Sequence, residues 1–334
     1  MPVSIKDIAR LAGVSHSTVS RALHKSPLIP PATAQRIQQI AQEQGYTASA
    51  VARSLVTRRT QAIGVVVTSI ADPFNGDVVA GIEEVANERG YSVILATSQA
   101  DPDRELAVVR SCQERRVDGI LVASSRVGAL YVPVLSELDV PIVLINNQHG
   151  SDFAYSIRID NVHGMRLATE HLLALGHRRI AYVGDRFGLH SDEERFAGYA
   201  SALAACQIPL DKELVANGNG KADEAGSALD QLLKRGAMPS AIACYNDMTA
   251  LGLMQRAQEL GISVPGELSV TGFDDIPFAA FAMPPLTTVR QPRREMGRQA
   301  MRLLFARLSD EPAEKTSVIN GELIVRGSTA PQRA

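Results

Sequence analysis

The stretch SHSTVSRALH, from Ser15 to His24, concentrates hydroxyl, imidazole and guanidinium groups in a few positions. Read as a helix, it turns Val19, Ala22 and Leu23 to one side. His16, Ser17, Ser20 and Arg21 fall on the other by i, i+1, i+4, i+5 spacing. That face suits hydrogen bonding to duplex DNA: Arg forks onto guanine, and Ser or His bonds base edges or phosphates. A second set of polar groups recurs after apolar runs: ADPFN (Ala71–Asn75), SSR (Ser124–Arg126), NNQ (Asn146–Gln148), GDRFG, YND (Tyr245–Asp247) and GFDD (Gly272–Asp275). Such strand-end residues are where open parallel sheets bind ligands. Phe74 offers a ring face to a pyranose or a base.

Other chemistries fail on spacing. Asp274 and Asp275 are adjacent at a strand end and point opposite ways, which argues against a shared acid–base site. NGNGKADEAG resembles a phosphate loop, but Val215 stands where the first Gly belongs and no Ser or Thr follows Lys221, so a turn before a helix is expected. His163, His171, His177 and His190 lack metal-ligand spacing and read as solvated or helix-end histidines. Cys112, Cys206 and Cys244 lie far apart, which suits a reduced, cytoplasmic protein. No nucleophile elbow is present, and no nucleotide fingerprint follows the first strand, where TSIADPFNGD stands. The expectation is a protein that is not an enzyme and needs no cofactor or metal.

The elements around these residues divide the chain. Ser4 can cap a helix with Ile5, Ile8, Ala9 and Ala12 on one face; Gly13 ends it, and Ser15 caps the polar helix. A third helix, about residues 32–44, buries Ile37, Ile40 and Ala41. The pattern predicts a helix-turn-helix. Residues 1–60 hold eight Lys and Arg against Asp7 and Glu43, a surplus of +6, while the remainder sums to −8. A basic head on an acidic body favours a polyanionic partner for the head. Residues 48–61 (ASAVARSLVTRRTQ) can form one or two helical turns, marginal in isolation and suited to ordering on DNA. From Ala62, buried β runs alternate with amphipathic helices, which implies parallel sheets covered on both faces. No apolar run approaches the ~20 residues that span a bilayer, and the start carries no secretory signal.

IKDIARLAGVSHSTVSRAL, then EQGY and AVARSL, resemble the head of the lac-repressor (LacI/GalR) family of transcription regulators. HLLALGHRRIAYVG and RFAGYASAL extend the likeness into the body. The resemblance implies an α/β fold: an all-α helix-turn-helix head (1–47), a hinge helix (48–61) and a two-lobed body like periplasmic sugar-binding proteins (62–334). The lobes would comprise about 62–160 plus 291–320, and 161–290 plus 321–330. It implies base reading by His16, Ser17 and Arg21, phosphate contacts from Thr18 and Ser20, and a hinge with Ser49 as cap, Arg53 as a basic flank and Leu55 as a minor-groove wedge. Ala48 and Ser49 stand where the family often has Pro and Asn. In the cleft, Arg195, Asn246 and Asp274 match effector-bonding positions, and Asp72, Asn75, Arg126, Asn146 and Gln291 follow; capping or lobe crossing is the alternative role for each.

The expected function is allosteric repression at a palindromic DNA operator, with a sugar or sugar derivative as effector. A purine or another metabolite is the alternative, and a periplasmic-type sugar-binding protein the rival class. The chain ends soon after its last strand, without a heptad tail, so a homodimer is expected. Phe278, Phe281 and Met283 are candidates for the subunit contact or for core packing.

Overall fold

The computed structural model describes residues 3–23, 26–46, 59–125, 140–147, 155–236 and 238–332. Ser49, Arg53, Leu55 and Arg126 therefore lie outside the described residues. The chain forms two compact units, Met1–Gln61 and Ala62–Ala334.

In the first unit, Ser4 opens α1 (Ile5–Ala12). Its hydroxyl and backbone N–H both donate to Asp7 Oδ2, at 2.7 and 3.0 Å, and Asp7 sits at the positive helix end. Gly13, at φ 63°, ends the helix in the left-handed conformation glycine adopts readily. Ser15 Oγ then accepts from Thr18 N (3.2 Å) and caps α2 (His16–Leu23). Helix α3 (Pro31–Glu43) starts on Pro31, whose missing N–H would be unpaired there anyway. Ile8, Ala12, Val19, Ala22 and Ile37 are buried together, and Arg36 donates to the Ala12 carbonyl, tying α3 to the end of α1.

The second unit contains two six-stranded sheets. The first is built from β1 (Ala62–Val67), β2 (Ser92–Thr97), β3 (Gly119–Ala123), β4 (Ile142–Ile145), β5 (Ser156–Ile159) and β11 (Thr316–Ile319), in the order β11-β5-β4-β3-β1-β2, all parallel. The second holds β6 (Ile180–Asp185), β7 (Val215–Gly218), β8 (Ala241–Cys244), β9 (Ser269–Asp274), β10 (Thr287–Arg290) and β12 (Glu322–Ile324), in the order β12-β10-β9-β8-β6-β7. Only the β10–β12 pair is antiparallel. The carboxyl ends of both sheets face the cleft. Strand β11 runs toward it in the first lobe and continues as β12 away from it in the second, opposite to its new neighbours.

Helices α4 (Pro73–Glu88) and α5 (Pro102–Glu114) cover the first sheet. The second carries α6 (Asn161–Ala174), α7 (His190–Ala205), α8 (Ala222–Lys234) and α9 (Asp247–Glu259), then the short α10 (Pro277–Phe281). Helix α11 (Arg293–Leu308) returns to pack on α4 and on β3, β4 and β5. Near-continuous apolar strands such as AIGVVV and GILVA are buried on both faces, which is why the alternating pattern of a half-exposed sheet is missing.

One histidine departs from the sequence reading. His177 does close the end of α6, its N–H donating to the Leu172 carbonyl (3.2 Å), but its ring is not solvated: it is buried, Nδ1 lies 2.9 Å from Ser240 Oγ, and Nε2 lies 3.0 Å from both Ser269 Oγ and the Ala330 carbonyl. Burial pushes its pKa down, so the neutral ring is the form that pins residue 330 to the second lobe. Among the described residues no helix is long and apolar enough to cross a membrane, and no group of metal-ligating side chains converges.

Candidate functional site

Two sites stand out, one in each unit. In the head, Val19 and Ala22 turn into the core. On the other side His16, Ser17 and Arg21 are exposed, with Thr18 and Ser20 half-buried at the margin. Ser15 Oγ lies 2.8 Å from Ser17 Oγ and 2.9 Å from Thr18 Oγ1, so the cap also orders the hydroxyls at the start of α2. This places a guanidinium, an imidazole and hydroxyls on one exposed face at the spacing read from sequence.

In the second unit a cavity of about 730 Å³ opens between the lobes. The first lobe contributes Asp72, Phe74, Gln99, Ser124 and Asn146; the second contributes Asp185, Arg195, Asn219 to Asp223, Tyr245, Asn246 and Asp274; Gln291 enters from a crossing segment. Seven of the nine effector candidates named in sequence thus share one cavity. Asn75 lies outside its lining: it is buried, and Nδ2 donates to Thr68 Oγ1 (3.3 Å) and the Ser69 carbonyl (2.8 Å), shaping the turn that presents Asp72 and Phe74.

Arg195 projects from α7 and is 4% exposed. Its guanidinium lies between two rings, 3.8 Å from the Phe273 centroid and 4.6 Å from that of Tyr245. Nε donates to Asn161 Oδ1 (2.8 Å) and Nη1 to the Tyr245 carbonyl (2.6 Å), while Nη2 stands 3.8 Å from Asp274 Oδ1. Ser191 Oγ, 2.9 Å from the Tyr245 hydroxyl, anchors that ring in turn. The fork is fixed on three sides before any ligand arrives.

Asp274 closes a polar chain between lobes. Gln291 Nε2 donates to its Oδ1 (2.7 Å), and Asn146 Nδ2 donates to Gln291 Oε1 (3.0 Å). Asn146 Oδ1 accepts from Ile159 N (3.1 Å), so first-lobe strand ends are wired to a second-lobe carboxylate. Asn246 lines the cavity but also caps α9: Oδ1 accepts from Thr249 N (2.9 Å), and Nδ2 donates to the Gly220 carbonyl (2.8 Å). Asp72 caps α4 through Phe74 N (3.0 Å). Capping and cavity lining thus coincide in these two residues.

Backbone strain collects here too. Gln99, Ala100, Ser124, Asn146 and Asp274 all line the cavity with positive φ, half of the ten such non-glycine residues described. Asp274, at φ 123°, is the most extreme, and such strain clusters at ligand clamps. Its neighbour Asp275 faces away onto Arg290 Nε (2.7 Å) and Arg326 Nη2 (2.6 Å), as the opposed directions of adjacent residues require.

Burial raises the pKa of Asp274 to about 6; Arg195 opposes the rise and the Asp72 carboxylate adds to it. Asp247, wholly buried, is raised as well, by burial and by Asp274; it accepts from Ile276 N (2.8 Å) and the Thr288 hydroxyl. At Asp274 the native state therefore binds its proton more tightly than the unfolded chain does between the ordinary 3.8 and about 6, so this group's contribution to stability is full below that window and is lost as pH rises through it. Asp274→Asn should accordingly melt above the parent chain at pH 7.5, by a few degrees (about 2–4 °C per kcal/mol), and the gap should close by pH 4. Melting curves across that range check this; an equal gap at both ends would clear the carboxylate of responsibility.

The sequence reading collects Asp185 and Tyr245 within strand-end stretches without naming them as effector residues, and it passes over the loop Asn219–Asp223. That loop, which reads in sequence as a mere turn before a helix, follows β7 and reaches the cavity. The strand-end rule, applied to β7 as to its neighbours, finds it.

A helix-turn-helix head followed by a two-lobed receptor with a polar, strained cleft defines a ligand-responsive transcription regulator. The chain belongs to the lacI family of bacterial regulatory proteins. Residues 4–49 match that family's profile, and residues 169–329 match that of the periplasmic binding protein-like domain. Among similar proteins, the HTH-type transcriptional repressor PurR of Vibrio atlanticus (strain LGP32) is 37% identical over 313 residues, 93% of this chain and 94% of the relative. PurR of Vibrio cholerae serotype O1 (strain M66-2) is 35% identical, with 93% of each chain covered. The lac repressor dimer bound to operator and the anti-inducer ONPF superposes with a TM-score of 0.89 at 27% identity, covering 99% of this chain and 100% of that one. The transcriptional regulator CelR in complex with cellobiose gives a TM-score of 0.75 at 31% identity, covering 98% and 99%.

Proposed function

We propose that the chain is a cytoplasmic homodimeric repressor, without catalytic activity, whose hold on a palindromic operator is set by an uncharged sugar or sugar derivative bound between its lobes. The observation that carries the ligand class is the excess of acceptors in the cleft. Asp72, Asp185, Asp223 and Asp274 line it, against Arg195 and Lys221 among the described residues. Arg195 is already engaged with Asn161, Tyr245 and Asp274. Carboxylates and carboxamides bond hydroxyls well and repel phosphates, and Phe74 supplies the apolar face a sugar ring requires. Cellobiose in CelR, and ribose bound to a LacI-family regulator of Enterococcus faecium, support the choice. A purine base is the second reading, favoured by the relatives named PurR and by the same ring as a stacking partner.

For DNA, His16, Ser17 and Arg21 read bases, Thr18 and Ser20 bond phosphate, and Ser49, Arg53 and Leu55 belong to the hinge. Two copies are needed because one module spans a half-site, and half-sites lie about 10 bp apart. Phe278 and Phe281 of α10 and Met283 just after it, all exposed, supply apolar surface for the pairing. The ligand acts on DNA only through unequal affinity for two lobe arrangements, and a coupling of about 1–3 kcal/mol suffices.

Selection from random duplexes tests the whole reading, run alone and with D-ribose, cellobiose, gluconate, glucose 6-phosphate or adenine. A palindromic consensus whose recovery changes with a neutral sugar is the expected result. No enrichment over scrambled competitor sinks the DNA assignment, and a response confined to glucose 6-phosphate or gluconate sinks the ligand class. On the selected site, Arg21→Ala should lose about 1–3 kcal/mol of binding and relax preference at one position per half-site; gel shifts with single-base variants measure both.

A further inference from the structure

Arg293, the first residue of α11, is 8% exposed and lies outside the cavity lining. Its Nε and Nη2 donate to Asp77 Oδ2, at 3.1 and 2.6 Å, and Nη1 donates to the Asp274 carbonyl at 2.5 Å. Asp77 belongs to α4, the first-lobe helix that Asp72 caps and that carries Phe74. Asp274 ends β9 of the second lobe. One guanidinium therefore joins the two walls of the cleft from behind.

Two further observations separate this contact from ordinary packing. The carbonyl it holds belongs to the residue at φ 123°, and the other donor to that carbonyl, Gln291 N, is distant at 3.4 Å. A backbone in so sparsely populated a region persists only when its surroundings hold it. Arg293 also favours the charged forms of both Asp72 and Asp274, which stand on opposite walls. Three donors in two directions are the property of a planar fork that an ammonium lacks.

We propose that Arg293 is a positioning residue for effector binding: braced on Asp77, it holds the strained Asp274 turn and so fixes the spacing at which Asp72 and Asp274 meet one ligand. The proposal rests on the reading of the cleft as the effector site. It makes Asp77, whose side chain is 44% exposed, a determinant of the opposite lobe.

The test uses the full chain and the variants Asp77→Asn, Arg293→Met, Arg293→Lys and the Asp77→Asn/Arg293→Met pair. Without any small molecule, hydrogen exchange is followed in segments 272–276 and 288–293. Exchange there should quicken about 10-fold in Asp77→Asn and in Arg293→Met, no further in the pair, and less in Arg293→Lys, with segments 62–67 and 241–244 unchanged. Asp77→Asn sits on an exposed carboxylate and keeps its shape, so it reports even if Arg293→Met folds poorly. Parent-like exchange in 272–276 of Asp77→Asn, or additive effects in the pair, overturns the proposal. Calorimetric titration with D-ribose, cellobiose and adenine follows. A compound that binds the parent chain should bind Asp77→Asn about 5-fold or more weakly; equal binding overturns the effector role. Silence of all three toward the parent chain counts against the proposed ligand class, while the exchange result still decides whether the brace exists.

Discussion

Arg195→Met should abolish the response to any cleft ligand and weaken the second lobe by about 3–5 kcal/mol, the usual loss when one partner of a buried pair is removed. The buried guanidinium is the donor for Asn161 Oδ1 and the Tyr245 carbonyl, lies near Asp274, and fills the gap between the Phe273 and Tyr245 rings. Methionine keeps much of the stem but leaves two acceptors without that donor and a carboxylate without its cation. A domain has only about 5–15 kcal/mol in hand, so the variant should unfold at markedly lower urea. Lysine should recover little, because an ammonium cannot serve both acceptors and lie flat between rings. Urea melts give the stability loss, and titration with the sugars above gives the ligand response. A Met variant with the parent midpoint would show that Arg195 is not the keystone the geometry makes it.

Gly297→Ala should damage the first lobe comparably. Helices α4 and α11 approach so closely that a Cβ on Gly297 would lie 2.1 Å from the Val78 carbonyl, and one on Gly81 2.0 Å from that of Arg294. Backbone cannot yield as a flexible side chain does, so the helices must part and unpack Ile82, Met296 and Met301 around them. Overpacking of this kind costs about 1–3 kcal/mol and occasionally more. Because α4 begins with the turn holding Asp72 and Phe74, ligand affinity should fall too. Gly76 is the internal control: it lies in the same helix, a methyl added there would meet nothing within 4 Å, and alanine should stabilise by up to about 1 kcal/mol. Thermal melts of the two variants should shift in opposite directions; a shared direction would refute the close-approach argument.

Much of this arrangement is legible in the residues. The caps and apolar faces of the head follow from local chemistry, and the buried Val and Ile runs announce parallel strands. Ligand residues at strand ends can be collected for the same reason, which brings Asp72, Phe74, Asn146, Asn246 and Asp274 to attention, while Arg195 and Gln291 come from the family resemblance. What escapes is set by long-range packing. Nothing local distinguishes Arg293 from Arg294 next to it, yet one is buried across the cleft and the other pairs with Glu84 at the surface. His177 likewise owes its buried ring to partners far away in sequence, Ser240, Ser269 and Ala330. The loop after β7 misleads because its glycines evoke another motif, although its place at a strand end is the better guide.

The order of the strands bears on how the chain is made. The first lobe has β1 to β5 by Ile159, yet α11 and β11 arrive only with residues 293–319. At about 5–20 residues per second, a ribosome needs on the order of ten seconds to travel from one to the other. During that interval the nascent sheet carries a naked edge at β5 and an open groove where α11 belongs. Translation pausing or chaperone supply in that window should therefore govern yield, and an early stop would spoil both halves of the receptor rather than release one intact.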